Sequence, residues 1–210
     1  MIAIDFGTNR TCAAWINPRT GRAEVLPNLE GKSTTASAVY FGRDEVIVGQ
    51  HALAMAAIEE EQPRVVLGAK RWLSESTALA VPEREVTAAS VAAEIFRKLR
   101  RDAEREVLQS EVAKGVVTHP TGFGQAARDA LRRAATAAGF QDVTLLEEPV
   151  AAALAYDRQT GDVGDHVLVC DLGAREFSFA FLSRTEDGSF RLSLPPRTLH
   201  TGGDELDLQL

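Results

Sequence analysis

The sequence is poor in cysteine and aromatic residues and has no excess of positive charge. Its two cysteines, Cys12 and Cys170, each lie in an apolar segment. We interpret them as buried free thiols in a reducing compartment, rather than as a redox or metal pair. The net charge of -7 argues against a general binder of nucleic acid or anionic membranes, because no basic stripe offsets it. The sequence shows no basic leader and no long apolar run, which predicts a cytoplasmic protein without a membrane span.

The composition that is present is that of a globular protein. Hydrophobic residues make up 45% and charged residues 25% of the 210 positions, enough for one domain with a full core, or one and a part. Strand-like and helix-like patterns alternate over residues 115–156, which predicts an α/β fold with strands buried under helices. Thr87 is predicted to cap the longest helix, which runs to about Leu108. Residues 65–73 are predicted to form a helix around Gly68.

The chain opens with a pattern typical of a β-hairpin that carries a carboxylate. An apolar run ends at Asp5, and a polar turn then leads into a second apolar run. Gly7 has no Cβ, so its backbone can approach a ligand closely and accept a positive φ. Thr8, Asn9 and the turn amides are donors suited to phosphate oxygens. By itself, an Asp-x-Gly segment of this kind is more often only a turn.

The same pattern recurs near the end of the chain. An apolar segment ends at Asp171, Gly173 follows two positions later, and residues 177–182 read as a second strand. Two related hairpins so far apart indicate two related lobes, each offering an acid and a glycine turn to a shared cleft. Two carboxylates facing a polyphosphate need a hard cation between them, which favours Mg²⁺.

With both hairpins, a Glu-Glu-Pro helix start and a closing Gly-Gly, the sequence resembles the seventy-kilodalton heat-shock chaperone family, and within it the ATPase domain of the actin-like superfamily. The matching segments are Ile4-Asp5-Phe6-Gly7-Thr8, Gly49-Gln50, Ala69-Lys70-Arg71, Glu148-Pro149 with Ala151 to Tyr156, Asp171-Leu172-Gly173 and Gly202-Gly203-Asp204. The resemblance implies an α/β actin-like ATPase fold of the ribonuclease H-like type. Its first lobe would cover residues 1–164, and an incomplete second lobe would cover residues 165–210.

The resemblance also implies a ligand and roles for individual residues. The cofactors would be ATP or ADP with Mg²⁺, and Asp5 and Asp171 would hold the hydrated cation. The residues that would contact the nucleotide are Asp5, Gly7, Thr8, Asn9, Gly173, Gly202 and Gly203. Catalysis would depend on Asp171, on Lys70 at the γ phosphate and on Glu148, which would orient water. Without the family, Lys70 reads as a solvated lysine, and Glu148 as an acid favoured by the helix dipole.

The loop after Asp171 departs from the family pattern. Where the family has three glycines and a threonine, this chain has Gly173 followed by Ala174, Arg175 and Glu176. We expect Arg175 to replace some lost phosphate contacts, and Glu176 to neutralise it or repel the nucleotide. The alternative is that both turn outward as a weak surface pair. In addition, Ser178 stands where the family carries a second acid, and the stretch 73–87 is short, which predicts a reduced upper subdomain.

The expected function is therefore that of an ATP-binding chaperone fragment whose ATP hydrolysis is weak or absent. Client polypeptides and co-chaperones would be partners through further domains, whereas nucleic acid and membranes would not. A non-catalytic interaction module and an actin-like filament protein are the two alternatives. Self-association is also expected, because the apolar strands after residue 167 lack helical cover.

Overall fold

The computed structural model describes residues 1–75, 77–161 and 163–208. Within it the chain packs into two compact units. The first comprises Met1–Val117 and Gly124–Leu145, and the second comprises Thr118–Phe123 and Leu146–Leu210. The final two positions of the predicted second-lobe fragment, 209 and 210, lie outside the described residues. The predicted lobe boundary after residue 164 stays a prediction, because a packing unit and a family lobe are different partitions of a chain.

A mixed six-stranded sheet contains the first predicted hairpin. Its order is β11-β10-β1-β2-β3, with β4 paired to β2. In chain order the first eleven strands are β1 (Ile2–Phe6), β2 (Arg10–Ile16), β3 (Ala23–Leu26), β4 (Thr35–Ala36), β5 (Ala38–Phe41), β6 (Val46–Val48), β7 (Val65–Leu67), β8 (Leu79–Val81), β9 (Arg84–Val86), β10 (Lys114–His119) and β11 (Asp142–Glu147). β1 runs parallel to β10 and antiparallel to β2, which confirms the predicted strand–turn–strand opening.

Two smaller sheets hold the remaining strands of this group, in the orders β6-β5-β7 and β8-β9. The predicted helix over residues 65–73 is wrong. Val66 pairs with Val39 of β5 instead, Gly68 takes a left-handed φ of 61°, and a short 3-10 helix follows over Ala69–Trp72. The hairpin of β8 and β9 lies in the shortened stretch 73–87, where no element was predicted.

The described residues form five α-helices: α1 (Gln50–Met55), α2 (Ala88–Asp102), α3 (Gln125–Ala137), α4 (Glu148–Thr160) and α5 (Gly203–Asp207). Thr87 caps α2 as predicted, since its hydroxyl accepts from the amide of Ser90 at 3.2 Å. A π-helical segment, Ala103–Leu108, continues α2 to the predicted end. The ring of Phe96 packs edge-on against that of Phe6 in β1, with centroids 5.0 Å apart. No helix within the described part of the chain is both long and apolar enough to cross a membrane.

The second unit contains a four-stranded antiparallel sheet. Its strands are β12 (His166–Leu172), β13 (Phe177–Arg184), β14 (Phe190–Leu192) and β15 (Arg197–Leu199). The order is β12-β13-β14, with β15 also paired to β13. One face of this sheet packs under α4, where Val150 and Ala153 contact the buried Leu182 and Phe190. The opposite face exposes large apolar side chains; those of Leu168, Leu172, Phe181 and Leu199 are each about half exposed.

Candidate functional site

The first hairpin places Asp5 at an exposed position of β1, directly opposite Cys12 of β2. The next turn requires a glycine, because a Cβ on Gly7 would lie 2.2 Å from the carbonyl oxygen of Arg10. Gly7 does not use its freedom to adopt a positive φ, since its backbone is outside the left-handed region. The need for glycine therefore comes from the close approach of the chain to itself. Thr8 is half-buried and Asn9 is exposed in the same turn.

Ser37, which the sequence analysis missed, fixes the carbonyl side of this turn. Its hydroxyl donates to the carbonyl of Gly7 at 2.9 Å, and its amide donates to the carbonyl of Asn9 at 2.9 Å. The hydroxyls of Ser37 and Thr11 lie 2.8 Å apart in the interior. Because Ser37 donates hydrogen bonds to the carbonyls of both Gly7 and Asn9, it stabilises one conformation of the turn. The run of small polar residues before it, 33–35, was the available sequence signal.

Ser37 also connects the hairpin to the segment that carries Lys70. The amide of Gly68 donates to the carbonyl of Ser37 at 3.4 Å, a long hydrogen bond. Gly68 then turns the chain into the 3-10 helix that holds the half-buried Lys70. The guanidinium of Arg71 stabilises this turn by donating to the carbonyl of Gly68 at 3.2 Å. The first unit therefore links the predicted lysine and the predicted phosphate turn through one serine.

The second hairpin repeats the register of the first. Asp171 lies directly opposite Ser178, seven positions later, just as Asp5 lies opposite Cys12. In both turns the glycine two positions after the acid faces a backbone carbonyl three positions further along the chain: Gly7 faces that of Arg10, and Gly173 faces that of Glu176. For Gly173 that carbonyl belongs to Glu176 and accepts the glycine's amide at 2.8 Å. The predicted internal repeat is thus confirmed at the level of strand register.

The Gly202–Gly203 segment packs on the turn of the second hairpin. The amide of Gly203 donates to the carbonyl of Gly173 at 3.0 Å, and the amide of Asp204 donates to that of Ala174 at 2.7 Å. Gly202 must be a glycine here, because its Cβ would lie 2.5 Å from the backbone of Ala174. Two predicted nucleotide-binding segments, distant in sequence, are therefore in direct contact within the second unit.

The two charged residues that replace small family residues do not pair with each other. The Arg175 guanidinium lies 3.8 Å from a carboxylate oxygen of Asp204 and 3.8 Å from one of Glu205. Glu176 instead lies 3.4 Å from Nδ1 of His200. The expectation that Arg175 and Glu176 form a surface pair, or that Glu176 neutralises Arg175, is wrong. Their partners lie more than twenty positions downstream and have no local sequence signal.

Glu148 is the first residue of α4, followed at once by Pro149. Proline is well suited to this position, because its missing N–H would have no partner within the helix. An acid in the first turn also interacts favourably with the helix dipole. The side chain of Glu148 is half-buried. Its helix packs through Val150 and Ala153 on Val167 and Val169 of β12, the strand that ends near Asp171.

The predicted site residues fall into two groups. Those of the first unit are Asp5, Gly7, Thr8, Asn9 and Lys70, and those of the second are Glu148, Asp171, Gly173, Gly202 and Gly203. The structure connects members of each group within its own unit. That both groups meet one nucleotide stays a prediction.

The acids present are suited to a hydrated cation rather than to an all-protein metal cage. Among the residues that the structure describes, no three His, Cys, Asp or Glu side chains cluster closely enough to hold a metal ion. Asp5 and Asp171 are each an exposed acid near the end of a strand. Mg²⁺ bound to nucleotide phosphates keeps several waters and needs only one or two carboxylates. The donor set fits that mode of binding.

The pKa of the Cys12 thiol is affected by the neighbouring Asp5. Partial burial raises the pKa of its thiol, and the negative charge of Asp5 raises it further. Cys170, next to Asp171, is exposed, so the prediction of a buried thiol is wrong for this residue. Its side chain lies on the uncovered face of the second sheet, opposite Phe179.

Comparisons with known proteins cover the whole chain. The sequence model of the family described as "Hsp70 protein" matches residues 1–78 and 73–210. A chaperone protein DnaK from Thermosipho africanus is 35% identical over all of this chain, which covers 34% of that relative. One from Thermotoga neapolitana is 34% identical, again over the whole chain and 35% of the relative. The chain spans about a third of the length of these relatives.

These matches agree with the architecture of the described residues. The structure is mixed α/β with several sheets and two hairpins in the same register. Both the fold class and the family expected from the sequence motifs are thereby confirmed. The chain belongs to the Hsp70 family and has the actin-like ATPase fold of that family's nucleotide-binding domain.

Proposed function

We propose that this chain binds Mg²⁺-ATP or Mg²⁺-ADP mainly through the phosphates. The observation that carries the proposal is the shared register of the two hairpins, with Asp5 opposite Cys12 and Asp171 opposite Ser178. Each hairpin presents an exposed acid beside a glycine turn. Such turns bring backbone donors close to phosphate oxygens, while the acids orient the waters of the bound cation.

The other residues of the proposal have separate roles. Thr8 and Asn9 lie in the first turn and supply donors to phosphate. Lys70 places a compact positive charge on the terminal phosphate, and its segment is tied to that turn through Ser37. Glu148 orients water from the start of α4. Mg²⁺, when bound, would neutralise charge that develops on the phosphates during hydrolysis.

We further propose that hydrolysis is slow. Catalysis of phosphoryl transfer depends on preorganised donors and charges around the phosphate. The second loop has side chains at Ala174 and Arg175, and Arg175 is directed at Asp204 and Glu205. An extended chain that carries the rest of the family's domain tests this in single-turnover assays. Its native form is predicted to hydrolyse ATP more slowly than the combined Arg175→Gly, Glu176→Thr, Ser178→Asp variant; equal rates would refute impairment by the loop.

The binding part is tested by calorimetry with three probes: Mg²⁺-ATP, Mg²⁺-tripolyphosphate and adenosine. If phosphate contacts dominate, the first two bind with dissociation constants within about fivefold of each other, a difference of roughly 1 kcal/mol. Adenosine then shows no binding at millimolar concentration. A tight, adenine-selective complex would contradict the proposal.

The proposal places the nucleotide site within a larger chaperone. Client polypeptides and co-chaperones are the partners that the family implies in general, and their binding belongs to the full-length protein. A cytoplasmic location is also part of the proposal and is supported by the two unpaired thiols, Cys12 and Cys170.

A second candidate function is that of a non-catalytic interaction module. It is favoured by the uncovered face of the second sheet, where Leu168 pairs with Phe181 and Leu172 pairs with Phe177. Exposed apolar surface of this kind promotes association. Light scattering of the native chain and of Phe181→Glu tests it. If this function is right, the native chain forms oligomers or complexes, and the negative charge introduced by Phe181→Glu disrupts them. A native chain that stays monomeric at high concentration counts against self-association.

A further inference from the structure

We infer that Arg175, Glu176, His200, Asp204 and Glu205 form a charged clamp that fastens the Gly202–Gly203 segment onto the loop of the second hairpin. Arg175 and Glu176, the two charged residues that replace small family residues in this loop, thereby contact another segment of the chain rather than a ligand. The clamp lies at the site of the proposed function, and its effect on nucleotide affinity rests on that function. The clamp's existence is independent of it.

The glycines are flanked by the ion pairs of Arg175 on one side and by a carboxylate–imidazole contact on the other. Downstream of Gly202, Arg175 lies 3.8 Å from both Asp204 and Glu205. Upstream of it, Glu176 lies 3.4 Å from His200, a pair that is ionic only when the imidazole is protonated. Neighbouring loop residues thus reach opposite ends of one short segment. Because both contacts come from the same two-residue stretch, they restrain the segment in position and in orientation.

The backbone contacts underneath the clamp use donors that a phosphate would need. The amide of Gly202 donates to the Glu205 carboxylate at 2.8 Å. The amides of Gly203 and Asp204 donate to the carbonyls of Gly173 and Ala174. All three consecutive amides are therefore committed to acceptors within the second unit. An incoming phosphate can use these amides only if they first leave these acceptors.

The close fit of the backbone explains why charge can control this contact. There is no space for a side chain at position 202, because a Cβ there would overlap the Ala174–Arg175 peptide. The backbone of Gly202 therefore packs directly on the backbone of the loop. The charged side chains are 30–46% exposed apart from His200, which is 85% exposed. Exposed pairs of this kind are weak individually. They suffice to shift a local opening equilibrium severalfold without changing the fold.

The clamp affects nucleotide binding. The clamp lowers the fraction of molecules that offer the Gly203 and Asp204 amides to a ligand, and apparent affinity falls with that fraction. Releasing the clamp without altering net charge then strengthens binding. The combined Arg175→Gln and Glu205→Gln change does this, because it removes one charge of each sign. The glutamine side chain introduced by Glu205→Gln keeps an amide oxygen that can accept from the Gly202 amide.

Amide hydrogen exchange of the native chain without nucleotide tests the clamp directly. Arg175→Gln is expected to speed exchange at Gly203 and Asp204 about two- to fivefold, and Arg175→Lys to restore most of the protection. Glu176→Gln is expected to act in the same direction but less. Arg132→Gln, which breaks an exposed pair with Asp129 in the first unit, is the control and leaves both amides unchanged. Unchanged exchange in Arg175→Gln would overturn the clamp.

The consequence for ligand is tested separately by calorimetry with Mg²⁺-ATP. The combined Arg175→Gln, Glu205→Gln variant is expected to bind about two- to fivefold more tightly than the native chain. Equal or weaker binding, together with faster exchange, would overturn the control of affinity by the clamp. If neither protein bound Mg²⁺-ATP, the proposed function and this consequence would both fail, whereas the exchange result on the clamp would stand.

Discussion

The carbonyl oxygen of Arg10 stands 2.2 Å from the place where a Cβ on Gly7 would lie. The equivalent distance in the second hairpin, from Gly173 to the carbonyl of Glu176, is 3.4 Å. The two turns therefore share a register but differ in tightness. Because the obstructing atom in the first turn is backbone, it cannot move aside as a flexible side chain would.

Gly7→Ala is predicted to destabilise the first unit by about 2 kcal/mol or more, because the added methyl group overlaps the Arg10 carbonyl. Gly173→Ala is predicted to cost less than about 1 kcal/mol, because its methyl group would meet the Glu176 carbonyl only at ordinary contact distance. Urea unfolding followed by tryptophan fluorescence measures the first change, since Trp15 and Trp72 both lie in the first unit. A Gly7→Ala protein as stable as the native chain would contradict a tight first turn.

The adjacent glycines 202 and 203 are predicted to respond differently to the same change. A Cβ on Gly202 meets backbone atoms of Ala174 and Arg175 at about 2.5 Å, whereas one on Gly203 has no neighbour closer than 3.8 Å. Gly202→Ala should therefore displace the segment and destabilise the second unit by about 2 kcal/mol. Gly203→Ala should be tolerated. Amide exchange in β13 measures both, and equal effects would show that the segment does not pack on the loop.

A partly buried charge network ties the first unit together and makes its stability depend on pH. Lys98 lies 2.8 Å from Asp102 and 3.0 Å from Glu30. Burial opposes the charged form of Glu30. The hydrogen bond from Lys98, a hydrogen bond from the backbone of Glu30 and the positive charge of Lys98 together outweigh burial and lower the pKa of Glu30 below its ordinary value of 4.5. The ionised Glu30 thus stabilises the fold above that value, and this contribution is lost as the pH falls through the lowered pKa.

Lys98→Met is predicted to lower the free energy of unfolding at pH 7 by about 2 kcal/mol, because it leaves the buried Asp102 carboxylate without its ammonium partner. The difference from the native chain should shrink as the pH falls from about 4.5 towards about 3. Thermal unfolding across this range measures it. Lys114→Met, which removes an exposed pair with Asp142, should change stability little at any pH. A Lys98→Met difference that stays constant down to the acid end of this range would rule out this linkage.

The two thiols are predicted to react at different rates. Burial and the charge of Asp5 raise the pKa of Cys12, so little thiolate forms at about pH 8. Cys170 is exposed and should react faster with a thiol reagent. Asp5→Asn should accelerate the reaction of Cys12, with Cys170→Ser as the background in which to measure it. An unchanged rate at Cys12 would show that Asp5 does not act on this thiol.

The sequence predicted elements whose signals are local. Alternation around Asp5 and Asp171 identified both hairpins, and Thr87 marked the start of α2. Residues 65–73 were misassigned because a short apolar run does not distinguish strand from helix. What makes it a strand is pairing with β5, more than twenty residues away.

As with the fold, only those features of the candidate site that have a local sequence signal could be predicted. The acids and glycines were identified from their repeated spacing, but Ser37 and the partners of Arg175 were not. Ser37 acts through hydrogen bonds to Gly7 and Asn9, about thirty positions earlier, and Arg175 pairs with residues about thirty positions later. Such contacts depend on how segments pack, which local spacing does not encode.

We propose that each of the two hairpin acids, Asp5 and Asp171, contributes to holding the cation of a bound nucleotide. Calorimetry with Mg²⁺-ATP on the native chain, Asp5→Asn, Asp171→Asn and the control Asp142→Asn tests it most directly. Asp142 is an exposed acid in β11 with its own lysine partner. Asp5→Asn and Asp171→Asn are each predicted to bind about tenfold more weakly than the native chain, and the control is predicted to keep native affinity. Native affinity in both hairpin variants, or no binding by the native chain, would contradict it.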